Sequence, residues 1–131
     1  MMVNQNWTVF EGEPFRHNKG TEPRITLGAR NTFYMNLIAW ETMGAPAAVE
    51  LLYDGNRRKI GMRPVDPRRK NAFKVAHHAD GTFRRISAAA FCHHFRIAVE
   101  GTILFLNPEF SPDGLLTLDL TTVTKVSRGA R

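Results

Sequence analysis

TFYMNLIAWETMG, running from Thr32 to Gly44, decides how this chain folds. The β-branched and aromatic run TFYM favours an extended backbone, and Asn36 behind it carries the short amide side chain that caps a helix start. LIAWETM then places Leu37, Trp40 and Gly44 on one side at helical spacing. Gly44, with Pro46 behind it, ends the helix. The stretch predicts a strand that passes directly into a short helix.

About 50 residues later the same order returns, as a tandem copy would produce it. Thr82-Phe83 repeats Thr32-Phe33, Ile86-Ser87 stands where Met35-Asn36 stood, with Ser87 as the second cap, and Phe91 answers Trp40. The run RRISAAAFCHHF, Arg84 to Phe95, crowds two arginines, a serine, the only cysteine and two histidines together and so looks like a chemical site. Wound on a helix at about 100° per residue, it puts Ala88, Phe91, Cys92 and Phe95 on one side and Ala89, His93 and Arg96 on the other. Cys92 then reads as a small buried hydrophobe, and the run as scaffold.

Working outward, RITLG alternates Ile25 and Leu27 as a short strand, and Gly28 and Asn31 supply a turn. Downstream, AVELLYDGNRRKIGMRPV is a hairpin, with Val49, Leu51 and Tyr53 alternating, a turn at Asp54-Gly55-Asn56, and Ile60 and Met62 returning. The polar linker DPRRKN, Asp66 to Asn71, separates the copies. Phe73 and Val75 with an Asp80-Gly81 turn then replace the first strand and turn, and GTILFLNPEFSPDGLLTLDL forms a second hairpin with Asp113-Gly114 near its tip. The fold class expected is α+β: two β-β-α-β-β repeats, about 24–66 and 73–121, forming one mostly antiparallel barrel with two short helices within a single domain, residues 23–131. Trp40 and Phe91 are expected at equivalent core positions. Residues 1–22, with Trp7, Phe10 and Phe15 but no sustained period, read as an arm that packs on the body or docks on a partner.

The chain has 131 residues, 43% hydrophobic and 23% charged, which suits a folded domain and not a disordered one. A single cysteine excludes an intrachain disulfide framework. No apolar run reaches the roughly 20 residues of a membrane span, and the first residues lack the basic head and apolar stretch of a secretory signal, so a cytoplasmic protein is expected. Eighteen Lys+Arg against twelve Asp+Glu give a net charge of +6, which favours an acidic partner such as nucleic acid.

The order strand, glycine-bearing turn, strand, capped short helix and hairpin resembles the AbrB/SpoVT swapped-hairpin family. The resemblance rests on Ile25-Thr26-Leu27-Gly28, Thr32 to Asn36, Trp40, Met43-Gly44, Val49 to Leu52 and Ile60 to Pro64, and extends loosely over 73–120. It implies interlocked hairpins in one barrel, here built by a single chain as a pseudo-dimer, and DNA binding as a transcriptional regulator or antitoxin. The first helix departs from the family pattern, which has a proline at the place of Asn36 and an arginine within the helix. Arg30 matches a basic residue of the DNA-facing turn.

Three basic clusters are candidates for gripping phosphate: Arg57, Arg58 and Lys59 on the first hairpin, Arg68, Arg69 and Lys70 in the linker, and Arg84 before the second helix, with Arg30 added by the resemblance. Each also suits a solvated loop or a charged strand edge. Strand alternation sends Arg84 and Arg85 to opposite faces, so only one of the two can join such a track. His77-His78 and His93-His94 are adjacent pairs that cannot chelate as units, no zinc spacing is present, and Cys92 and His94 diverge by about 200° on a helix. No catalytic residue, metal or cofactor is expected. The function expected is that of a non-enzymatic nucleic-acid-binding or regulatory protein whose partner is double-stranded DNA. The alternative is a protein-interaction module, antitoxin or adaptor, that holds its partner through residues 1–22. Leftover strand edges leave room for a homodimer.

Overall fold

The computed structural model describes residue 8 and residues 22–78 and 81–126. The arm expected over residues 1–22 therefore lies almost wholly outside the described residues, as does Asp80 of the expected Asp80-Gly81 turn.

The deciding stretch folds as its pattern requires. Strand β1 (Ile25–Leu27) turns through Asn31, which takes a positive φ of 64°, into β2 (Thr32–Asn36), pairing Ile25 with Met35 and Leu27 with Phe33. All four of these side chains are buried. Helix α1 (Leu37–Thr42) starts on Asn36, whose Oδ1 accepts from Ala39 N at 3.0 Å and from Arg24 N at 3.1 Å, while its Nδ2 donates to the Glu22 carbonyl at 2.9 Å. One buried amide thus caps the helix and ties down the entry to β1, with its polar atoms satisfied. Gly44 at φ 94° and Ala45 at φ 54° reverse the chain after α1.

Strands β3 (Ala48–Asp54) and β4 (Lys59–Pro64) form the expected hairpin, with Leu51 facing Met62 and Tyr53 facing Ile60. After the linker come β5 (Phe73–Lys74) and β6 (Ala76–His77), and then β7 (Phe83–Ser87), which runs antiparallel to β2 with Tyr34 opposite Arg85. Helix α2 (Ala89–His94) follows, then β8 (Ile103–Phe105), β9 (Glu109–Phe110), β10 (Leu116–Asp119) and β11 (Val123–Lys125).

These strands form two antiparallel sheets and not a closed barrel, which corrects the sequence expectation. One is six-stranded in the order β11-β8-β1-β2-β7-β6, and the other five-stranded in the order β5-β3-β4-β10-β9. The separation falls where strands break. Val75 divides β5 from β6, and Leu106, Asn107 and Pro108 divide β8 from β9, so each pair contributes one strand to each sheet. A proline donates no ladder hydrogen bond, so an uninterrupted strand across this point is disfavoured. The core lies between the sheets: Phe33, Met35, Ile86 and Phe105 from one pack into one cluster with Ile60, Met62, Leu116 and Leu118 from the other.

Two helix expectations also need correction. Ser87 does not cap α2; it is the exposed last residue of β7, paired with Thr32, and Ala88 occupies the cap position with no side-chain hydrogen bond. Phe95 does not continue the buried stripe of Phe91 and Cys92, because α2 ends at His94 and leaves that ring 39% exposed. Phe91 belongs to the core, whereas Trp40 is only partly buried against it.

Candidate nucleic-acid interface

The β3–β4 hairpin fixes the first basic cluster. Asp54 Oδ1 accepts from Asn56 N and Arg57 N at 3.1 and 3.2 Å, an Asx turn that presents Arg57 and Arg58 at the tip. Both are exposed, and Arg58 holds a positive φ of 55° while its carbonyl accepts from Leu120 N at 2.9 Å. Lys59 is different. It sits in the ladder between Asp54 and Asp119, its partners on either side, so its charge is met locally. Asp119 in turn is held below the usual carboxylate range, chiefly by the Thr121 hydroxyl and amide and to a lesser degree by Lys59.

Arg68, Arg69 and Lys70 lie at the other end of the same hairpin. Strand β4 separates them from the tip by roughly 20 Å at about 3.3 Å per residue. Two of the three are already engaged. Arg68 donates through Nε and Nη2 to Asp66 at 3.1 and 2.8 Å, which lowers the Asp66 pKa and raises that of Arg68. Arg69 Nη2 stands 3.9 Å from Glu50, a carboxylate that also accepts from Arg63 and from Asn71. The linker arginines are therefore tied to carboxylates, and they do not join the tip.

Arg84 is buried, only 8% exposed, and belongs to the interior. Its guanidinium carbon lies 4.1 Å from the centre of the Trp40 ring, and Nη1 donates to the Gly81 and Phe83 carbonyls at 3.3 and 3.2 Å. Trp40 is itself fixed by donating Nε1–H to the Pro46 carbonyl at 2.9 Å. This cation on an aromatic face fastens α1 to β7 and does not present charge to a ligand. Arg85 is the residue of the pair that faces outward, opposite Tyr34.

Arg30 is exposed in the β1–β2 turn. The neighbouring Asn31 carbonyl accepts from Ala88 N at 2.8 Å, which sets this turn against the start of α2.

The structure adds residues that sequence reasoning did not nominate. At the far end of α2, Ile97 N donates to Cys92 O at 2.8 Å and Arg96 N to His93 O at 3.2 Å, closing the helix around Arg96 at φ 57°. His93, His94, Phe95 and Arg96 are all exposed there. The Phe95 ring lies 5.1 Å from Tyr53, which precedes the hairpin tip, and Tyr53 also meets Phe91 edge to face at 6.4 Å. Arginines about 40 positions apart in the chain are brought to one end of the molecule by this aromatic contact.

That end carries Arg57, Arg58 and Arg96, with Arg30 beside the start of α2. None of the four has a carboxylate partner among the described residues. On the outer side of the five-stranded sheet a small polar cleft of about 120 Å³, lined by Lys59, Asn107, Glu109, Thr117, Asp119 and Thr122, brings two carboxylates near the tip and bounds the basic surface. Cys92 is buried, and its burial pushes the thiol pKa up, away from nucleophilic use. The chain matches no family model, no curated protein and no solved structure in comparisons with known proteins.

Proposed function

We propose that this protein is a non-enzymatic nucleic-acid-binding protein of regulatory type, which grips phosphates through Arg57, Arg58 and Arg96, with Arg30 extending the surface along α2. The observation that carries this reading is the Tyr53–Phe95 contact at 5.1 Å, which joins the hairpin tip to the end of α2. Arginine suits the role because its planar fork matches phosphate and stays charged. The net charge of +6 adds a long-range attraction for a polyanion.

The same reading takes the chain as two repeats of the AbrB-like order folded about one pseudo-two-fold axis. The pairing pattern supports this. Exchanging the units sends β1 to β5 and β6 together and β3 to β8 and β9 together, so that β1 pairing with β2 and with β8 corresponds to β6 pairing with β7 and β5 with β3. The pairs β2·β7 and β4·β10 each join a strand to its own counterpart.

The test is fluorescence anisotropy of labelled DNA, duplex and single-stranded, over a series of salt concentrations. Replacing Arg57, Arg58 and Arg96 together by Ser is expected to weaken binding at least about tenfold and to flatten the log-log salt slope by about 3, the counterions of three phosphates. Replacing Arg68 and Arg69 by Ser is expected to change little, since Asp66 and Glu50 already engage them. Absence of binding at low salt, or equal losses from the two sets, overturns the assignment.

A further inference from the structure

Resting on that reading, we propose that the basic end selects nucleic acid with unpaired bases, and that the Phe95 ring is the surface on which one base stacks. An aromatic ring that is 39% exposed beside a helix end is not part of the core, yet it is held firmly. Tyr53 contacts it at 5.1 Å, Phe91 at 5.2 Å and His94 edge-on at 4.6 Å. The ring is thus supported from the protein side while its remaining surface faces solvent. Such a supported ring loses little entropy on binding a planar partner.

The charges around the ring choose the partner. Arg96 follows Phe95 directly, and Arg57 and Arg58 stand at the tip that Tyr53 leads into. A base offers a π-face to the ring and its flanking phosphates offer anions to the arginines, a combination used by sequence-tolerant single-strand binders. In a duplex the bases are stacked on one another, so the ring would meet only backbone. Charge complementarity disfavours an apolar protein partner at the same place, because Arg96 follows Phe95 in the chain and Arg57 and Arg58 stand at the tip beyond Tyr53.

The full-length protein is titrated into labelled oligothymidine of about 12 nucleotides and into an abasic strand of equal length, which has the same phosphates and no bases. Oligothymidine is expected to bind about 5- to 150-fold more tightly than the abasic strand, the gain from one stacked base. Phe95→Leu keeps an apolar side chain at this exposed position and is expected to bring the ratio of oligothymidine to abasic affinity most of the way to one, whatever it does to the phosphate contacts that both strands share. Circular dichroism checks that the variant is folded, and the comparison on the unaltered protein stands without any variant. Equal affinity for the two strands, or Phe95→Leu without effect on their ratio, overturns the stacking role and leaves the phosphate-binding reading standing. Failure to bind either strand at low salt overturns both.

Discussion

Arg96 occupies a backbone conformation that most side chains avoid, with φ at 57° directly after α2. A left-handed non-glycine residue costs about 1 to 2 kcal/mol, and glycine is the usual residue at this point of a helix end. Arg96→Gly is therefore expected to raise stability by about 0.5 to 1 kcal/mol in urea denaturation, after glycine's larger entropy loss is set against the relieved strain. The same substitution is expected to weaken DNA binding, so that stability and affinity move in opposite directions. A variant that is both less stable and unchanged in binding would contradict both assignments. Arg96 was hidden in the sequence because no glycine announces the helix end, and Arg84 was counted among the phosphate-gripping candidates although its buried place follows from alternation. Ile86 is a core residue, and strand alternation puts Arg84 on its side and Arg85 on the other.

The two helices show how far a repeated pattern can be read. Both were expected to start on a polar cap, and only the first does. Asn36 satisfies Ala39 N, Arg24 N and the Glu22 carbonyl together, while Ser87 stays in the ladder opposite Thr32 and leaves α2 without a side-chain cap. Asn36→Ala is expected to cost about 2 kcal/mol, the loss of the cap plus that of a buried hydrogen-bonded link, whereas Ser87→Ala is expected to stay within about 0.5 kcal/mol. Midpoints of urea unfolding for the two variants provide the comparison, and a similar cost for both would mean that Ser87 caps α2 after all. A cap is legible as a residue type, but strand pairing decides whether the residue is released from the ladder in time to serve. The exposure of Phe95 has a related cause, since the stripe projected from Ala88 continues only as long as the helix does.

At the scale of the molecule, the first hairpin was legible because its turn and alternation are local, while the second formed only between β9 and β10, with β8 paired to β1 and β11, and the two-sheet arrangement was not legible. The pairing of β1 with β8 joins residues on opposite sides of most of the chain, and nothing in either short strand names its partner. What the sequence also left unread is the carboxylate that anchors the linker after β4. Glu50, 7% exposed on β3, accepts from Arg63 on β4 and from Asn71, with Arg69 close by. The Arg63 hydrogen bonds are the largest influence holding its pKa below 4.5; burial opposes them, while Asn71 and the charges of Arg63 and Arg69 add to the lowering. A carboxyl whose pKa is depressed in the folded state contributes stability that is complete above its unfolded value, here 4.5, and is lost as pH falls from there through the folded value. Glu50→Gln should accordingly cost on the order of 1 kcal/mol near neutral pH, where it removes hydrogen bonds to a charged group whose arginine partners are half exposed. The difference between variant and parent should then shrink as the solution is acidified below 4.5, because the parent loses the same charge by protonation. Thermal unfolding followed across that range measures it. A gap that stays constant with pH would show that Glu50 acts through shape alone, and that the link from hairpin to linker is not electrostatic.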